Sequence, residues 1–472
     1  MSGVPDGWMT TSIGRVAETS LGKMLDAKQA TGLHGTPYLR NINVRWGRFD
    51  LSDVASMDIR PDELERVLAR AGDLIACEGG EPGRAAVWRG SEPIALQKAL
   101  HKIRPIAGVV PEFLAFLLRY QAGSGELPRL FTGTTIRHLP QEKLRLVRVP
   151  LPPTVEQERI VSAIEEAFSK LDVGEAGLRT VRQLLKRMRE AMLAAAATGQ
   201  LVPQNPADTP AAKLLADLGV ELLNDRSLPG VPAAWSWTQV QDVGQVDLGR
   251  QRSPKYHSGD NMKPYLRVAN VFEDRIDTSD VMEMHFEAEA FERSRLAIGD
   301  ILLNEGQTPE LLGRPAMYRG EPPEVAFTNS LLRFRAGPGI EPDWALLVFR
   351  HHMHSGRFTR ESRITTNIAH LSAARFKPVE FPVPPIEEQR RVVEEFDRLS
   401  SFMAACERAV VAALARSAAL RRSVLKAAFE GRLVPQDSSD EPASILLKRI
   451  QAERATSDGS SGGHRRKKLE AS

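Results

Sequence analysis

The phrase PLPPTVEQERIV, starting at Pro150, returns as PVPPIEEQRRVV at Pro382. Pro153 pairs with Pro385 and Gln157 with Gln389, each pair 232 positions apart. The same spacing joins GQLVPQ at Gly199 to GRLVPQ at Gly431, and PAAKLL at Pro210 to PASILL at Pro442. Upstream, VPDGW at Val4 answers VPAAW at Val231, PYLRNINV at Pro37 answers PYLRVANV at Pro264, and GDLIACEGG at Gly72 answers GDILLNEGQ at Gly299. GRAAVWRG at Gly83 then matches GRPAMYRG at Gly313, after a loop that is longer in the second copy. TTIRHL at Thr134 matches TNIAHL at Thr366. Self-similarity over such a period means one unit used twice. The chain therefore reads A-h-A′-h′. The h segments match along their length, whereas the A segments agree only in short framework phrases. That pattern predicts a shared scaffold with divergent working surfaces.

Each h segment carries apolar residues at alternating steps of four and three. In the first copy they are Ile160, Ile164, Ala167, Leu171, Gly174, Leu178, Val181, Leu185, Met188, Met192 and Ala195. In the second they are Val392, Phe396, Leu399, Met403, Cys406, Val410, Ala413, Ser417, Leu420, Val424 and Ala427. This is a heptad seam. Prolines stand only before it, and Gly199 and Gly431 stand where a helix ends. Each h is a helix of about 45 residues, about 65 Å long at the usual rise. The plainer reading of such a segment is a core helix of a larger domain. Two matched seams instead predict that the helices pair antiparallel, through Ile164, Leu171, Leu178, Leu185 and Met188 of the first and Phe396, Leu399, Met403, Val410 and Leu420 of the second.

The A segments read as mixed α/β (α+β), with short apolar strands such as DLIAC at Asp73 and DILLN at Asp300 between glycine turns. Predicted boundaries are 1–153 and 231–385 for the two domains, and 154–202 and 386–434 for the helices. Residues 203–230 are expected to form a linker, and 435–472 a C-terminal extension with a flexible tail. The tail's Gly/Ser-rich and then basic end fits a solvated segment, or one that adds nonspecific attraction to phosphate.

No phosphate-binding loop, dinucleotide fingerprint or HExxH helix is present in the 472 residues, nor an Asn/Asp-Pro-Pro-aromatic tetrapeptide. No catalytic residue and no metal ligand is expected. His138 and His370 recur at matched positions, and a hydrogen-bonding role accounts for them as well as a catalytic one. The two cysteines, Cys77 and Cys406, match no metal spacing and suit a reducing, cytoplasmic setting. No apolar run is long enough to span a bilayer and the N-terminus does not read as a signal peptide, so no membrane partner is expected. A net charge of +3 permits a nucleic-acid partner without requiring one.

Candidate DNA contacts mix basic and hydroxyl or amide side chains. In the first domain they are Arg40, Arg84, Thr134, Thr135 and Arg137. In the second they are Arg250, Arg252, Lys255, Arg267, Arg314, Thr365, Thr366 and Asn367. Arginine suits phosphate and guanine edges, and asparagine suits adenine. Arg40 and Arg267 lie inside matched framework phrases, where a structural role competes.

The doubled Pro-Pro-x-x-Glu-Gln phrase, each copy opening a heptad helix that ends in LVPQ, resembles the specificity subunit of Type I restriction–modification systems. The resemblance runs from about Val4 to Leu447. It implies two target recognition domains with a pseudo-twofold internal repeat, each reading one half of a bipartite, asymmetric site on double-stranded DNA. It also implies that the helices form an antiparallel coiled coil that sets the spacer and docks two modification (methyltransferase) subunits. S-adenosylmethionine would sit on those subunits, with no cofactor in this chain. A translocating restriction subunit is a further partner that the resemblance leaves open. Other readings remain: a similar subunit in a methylation-only or other phage-defence system, a coiled-coil scaffold that binds no DNA, or an enzyme built on the two histidines.

Overall fold

In the computed structural model, which describes residues 4–24, 35–365 and 368–467, the chain divides into two compact units. The first combines Met1–Leu178 with Ala412–Ser472, and the second is Arg179–Val411.

The first unit holds a four-stranded antiparallel sheet ordered Ala17–Leu21, Leu100–Pro105, Leu74–Cys77, Ala85–Val87. Beside it lies a mixed sheet of Ala55–Asp58, Gly35–Leu39, Ile94–Leu96 and Leu68–Ala69, whose middle pair is parallel. The helix Pro111–Ser124, opened by a proline at its first turn, buries Phe113, Leu114, Leu117 and Leu118. The second unit repeats the antiparallel sheet as Gly244–Leu248, Leu331–Ala336, Ile301–Asn304, Pro315–Met317, and the proline-led helix as Pro342–His354. Its mixed sheet has three strands, Met282–His285, Met262–Leu266 and Ala326–Phe327.

The matched phrases are the fastenings of this scaffold. Asp73 is buried and accepts two hydrogen bonds from Arg104, at 2.6 and 2.7 Å. Asp300 and Arg335 repeat the pair at the same distances. The glutamine of the doubled phrase is a buried hub. Gln157 accepts from the Val110 N–H at 2.9 Å and donates to the Pro152 carbonyl at 3.0 Å. Gln389 does the same with the Glu341 N–H and the Pro384 carbonyl. Its amide satisfies backbone groups that would otherwise be buried without partners, so the residue type is fixed.

The long helices run Thr154–Ala197 and Ile386–Phe429. Gly199 and Gly431 follow each end with φ of +72° and +69°, the left-handed geometry of a glycine stop. Within each unit the two helices are antiparallel. In the first, Arg421 bonds Asp172 at 2.7 Å while Ser417 donates to Glu175 at 2.7 Å. In the second, Arg189 pairs with Glu407 at 3.5 Å. Ile164, Leu185, Phe396, Met403 and Val410 are buried as the seam predicts, and Leu171, Leu178 and Leu399 are half-buried.

Met188 and Leu420 depart from the seam: they are 48% and 53% exposed. The half-buried Arg189 and Arg421, one residue further on, face inward instead. A helix that keeps 3.6 residues per turn drifts away from a strict seven-residue stripe by about 20° per heptad, so the packed face shifts by one position.

The segments that follow the long helices also differ from expectation. The region expected as a linker begins with the helix Ala211–Asp217, whose Ala211 and Leu215 are buried in the second unit's core. The C-terminal extension contains the helix Ala443–Lys467, which continues past Leu447 into the segment expected to be flexible, and its Ala443, Leu446 and Ile450 are buried in the core of the first unit. Leu214 and Leu446 press against Gly339 and Gly108, where an added Cβ would come within 2.6 Å. Matched ion pairs, Arg391 with Asp208 and Arg159 with Asp440, hold the two segments in place. Each unit is therefore closed by the segment that follows the long helix begun in the other unit. The apolar spacing of PAAKLL and PASILL marked these residues as helical, but nothing local said which domain they cover.

Candidate nucleic-acid interface

Four segments, distant in sequence, are stitched edge to edge in each unit by backbone hydrogen bonds. In the first unit the Lys98 N–H donates to Lys23 at 2.8 Å, the Glu78 N–H to Ala99 at 2.9 Å, and the Leu139 N–H to Glu78 at 2.7 Å. In the second, Asn329 donates to Arg250 at 3.0 Å, Glu305 to Ser330 at 3.0 Å, and Leu371 to Glu305 at 2.8 Å. The two ladders use matched residues rung for rung. They bring the Glu-Gly loops (from Glu78 and Glu305) beside the loops that end in His138 and His370.

The histidines fasten these loops. A Cβ on Gly79 would stand 3.0 Å from His138 Nδ1, and one on Gly306 would stand 3.1 Å from His370 Nδ1. Each ring therefore abuts a glycine that cannot be replaced without moving it. His370 also pairs with Glu305 at 3.3 Å. Below, buried His101 bonds the Leu139 carbonyl at 2.8 Å. Burial lowers its pKa to about 4, against the opposing effect of that bond.

The expected contact residues divide into two groups. Arg40 bonds the Asp53 carbonyl at 3.1 Å and its carboxylate at 2.8 Å, and Arg267 pairs with the Asp280 carboxylate. Arg84 donates to the Asn41 carbonyl and to Glu81, both at 2.9 Å. Arg314 stacks on Phe272 at 4.8 Å, and burial lowers its pKa. Arg40, Arg84 and Arg267 are thus held by carboxylates or carbonyls of their own units, whereas Arg314 is held by a ring. Thr134, Thr135 and Arg137 instead stand exposed on the first unit's loop. Arg252 and Lys255 are exposed on the second unit's, and Arg250 is half-buried. Aromatic rings back these three: Arg250 lies 4.2 Å from the Tyr256 centroid, Arg252 lies 5.6 Å from Tyr265, and Lys255 lies 4.7 Å from Tyr256. Stacking orders a cation while leaving its donors free for an acceptor. Thr365 closes the strand Arg363–Thr365, while Thr366 and Asn367 lie outside the described residues.

Two residues of the ladder escaped the sequence reading. Lys23 is the counterpart of Arg250 and is paired with Glu63, and exposed Lys98 is the counterpart of Asn329. A signal existed for the first pair: Leu21-Gly22-Lys23 matches Leu248-Gly249-Arg250. Both glycines pass so close to the facing carbonyls that a Cβ would lie within 2.4 Å of an oxygen.

A family model described as the Type I restriction modification DNA specificity domain matches residues 5–178. The StySPI specificity subunit of Salmonella potsdam is 24% identical over 473 residues, covering 97% of this chain and 97% of that one. The EcoBI specificity subunit of Escherichia coli is 29% identical over 416 residues, covering 82% and 81%. The chain is similar to the specificity subunits of Type I restriction–modification systems. The fold agrees. The HsdS subunit of Thermoanaerobacter tengcongensis superposes with a TM-score of 0.54 at 18% identity, covering 91% of this chain and 98% of that one. A chain from a structure describing complex assembly and conformational transition of the type I R-M system gives 0.64 at 18% identity, covering 92% and 100%. The matched ladders are the part that the two α/β domains share, while the loop tips beside them differ. Among the described residues no helix is long and apolar enough to cross a membrane.

Proposed function

We propose that this chain reads DNA for a Type I restriction–modification complex, one recognition domain per half of a bipartite site, and itself performs no chemistry. The matched ladder carries this reading: one scaffold presents two different sets of polar and basic loops, as two different half-sites require. Exposed Thr134, Thr135 and Arg137 in one domain, and ring-backed Arg250, Arg252 and Lys255 in the other, are the side chains we assign to DNA. The long helices dock two methyltransferase subunits. Met188 and Leu420 support this assignment, since they are matched in sequence and both exposed, which suits one equivalent foothold per subunit. S-adenosylmethionine belongs to those subunits, which supply the methylation chemistry. Free Cys77 and Cys406 suit a cytoplasmic complex. The experiment is co-expression with the cognate modification subunit and mapping of methylated genomic sites. A bipartite motif is expected, and a random methylation pattern would overturn the reading.

A further inference from the structure

Ile136 and Ile368 are 65% and 49% exposed, and they occupy the same position in the two domains. Other exposed large apolar side chains of the domains have no such partner: Ile42, Leu146 and Ile298 stand opposite Ala269, Pro378 and Ala71. Each isoleucine stands next to paired backbone. In the first unit Thr132 and His138 exchange two backbone hydrogen bonds, at 2.8 and 2.9 Å, closing a short loop. Gly133, with φ of +87°, faces the Ile136 carbonyl so closely that a Cβ would lie 2.2 Å from it. In the second unit Ile368 pairs with Thr365 across a hairpin whose returning strand carries His370 onto Gly306. An apolar tip is thus presented at a fixed place beside exposed Thr134, Thr135 and Arg137.

Hydroxyl and guanidinium groups suit the phosphate backbone, whereas a branched aliphatic tip suits the faces or methyl groups of bases. This loop keeps a threonine, the isoleucine and the histidine in both domains while its other positions differ, so an exposed apolar residue common to both fits a feature that both half-sites share. Methyltransferases turn their target base out of the helix, which unstacks its neighbours in either half-site. We propose that Ile136 and Ile368 are apolar wedges, each packing into the base stack beside the nucleotide turned out in its half-site. This rests on the reading of the chain as the DNA-binding partner of methyltransferase subunits.

The test uses the full chain in complex with its modification subunits. The duplexes carry 2-aminopurine in place of the methylated base, in one half-site at a time. Ile136→Ala is expected to lower the fluorescence gain and slow methylation about tenfold in one half-site only, and Ile368→Ala in the other only, by loss of a wedge that offsets unstacking. Ile→Leu should restore both readouts, and the methylated sequence and thermal midpoint should stay as in the wild type. Normal fluorescence and rate in both alanine variants would overturn the proposal. So would a lowered thermal midpoint, which would assign the side chains to packing. Reproduction of the defect by replacing thymine with uracil would assign them to a methyl contact and also overturn it. If the wild-type complex bound no duplex, the DNA-reading assignment itself would fall, a result distinct from all of these.

Discussion

Arg454 and Gly14 lie 440 positions apart and are joined by a hydrogen bond of 2.7 Å from guanidinium to carbonyl. A second bond, of 2.8 Å, runs from the same guanidinium to the Ala17 carbonyl. The C-terminal helix thus caps the short turn Ile13–Val16, which leads into the edge strand of the first unit's sheet. Arg454→Ala should lower the stability of the first unit by about 1–2 kcal/mol, as expected for charge-assisted bonds that are partly accessible to water. Amide hydrogen exchange is the measurement: residues 13–21 should lose protection while the strands of the second unit keep theirs.

The helix seam is tested by contrasting two leucines. Leu185 is buried and Leu420 is exposed, although both occupy heptad positions. Leu185→Asp places a charge in the packed face and should destabilise the second unit by several kcal/mol. Leu420→Asp should leave helicity and unfolding unchanged and weaken co-purification with the modification subunit. Equal loss of helicity in both variants would show that the one-residue drift is wrong.

Gln157→Leu removes the hub beneath the first helix and leaves the Val110 N–H and the Pro152 carbonyl without their partner. Burial of those groups unpaired should cost about 2–4 kcal/mol. Gln389→Leu should do the same to the second unit alone. Limited proteolysis will show which unit opens in each variant.

Acid should weaken both units through histidines that are buried in the neutral form. Burial lowers His101 and His352 to about 4. Unfolding returns each to about 6.5, so the unfolded chain binds the extra protons between these values and stability falls as pH drops from 6.5 to 4. The loss should reach about 3 kcal/mol per histidine at the lower end. Denaturant titrations at pH 7 and pH 5 will measure it, and His352→Gln should flatten the dependence of the second unit only.

Replacing residues 1–153 with another member's first domain should change one half of the methylated motif and leave the other intact. The incoming domain must keep a glycine at the position of Gly108, where the Leu446 side chain packs. Filling that position in an otherwise successful exchange should abolish reading of the new half-site.

The repeat, both long helices and the α/β character of the domains were legible, because each rests on local periodicity and on phrases that occur twice. The orientation of individual side chains was not. Arg40 looks like any exposed base, and only folding brings Asp53 within 2.8 Å of its guanidinium. Leu420 fits a seven-residue stripe, but the helix keeps its own pitch and turns it outward. Lys98 sits between unremarkable neighbours, and it joins the candidate face only through a backbone bond to Lys23. In each case the deciding contact spans many residues, and a one-dimensional pattern does not encode it.

The first unit's core draws on Leu425, Ala428, Phe429, Ala443, Leu446 and Ile450, whereas the second unit is one continuous stretch of chain. Synthesis runs from the N-terminus, and domains fold as units while it proceeds. The order of completion is therefore inverted. Every residue of the second unit has left the ribosome before the first can close, and the first unit stays unfinished until Ile450 has been added. A message cut short after Val411 would yield a chain whose later reader is whole and whose earlier one is open, marking it for proteolysis before any partner is engaged.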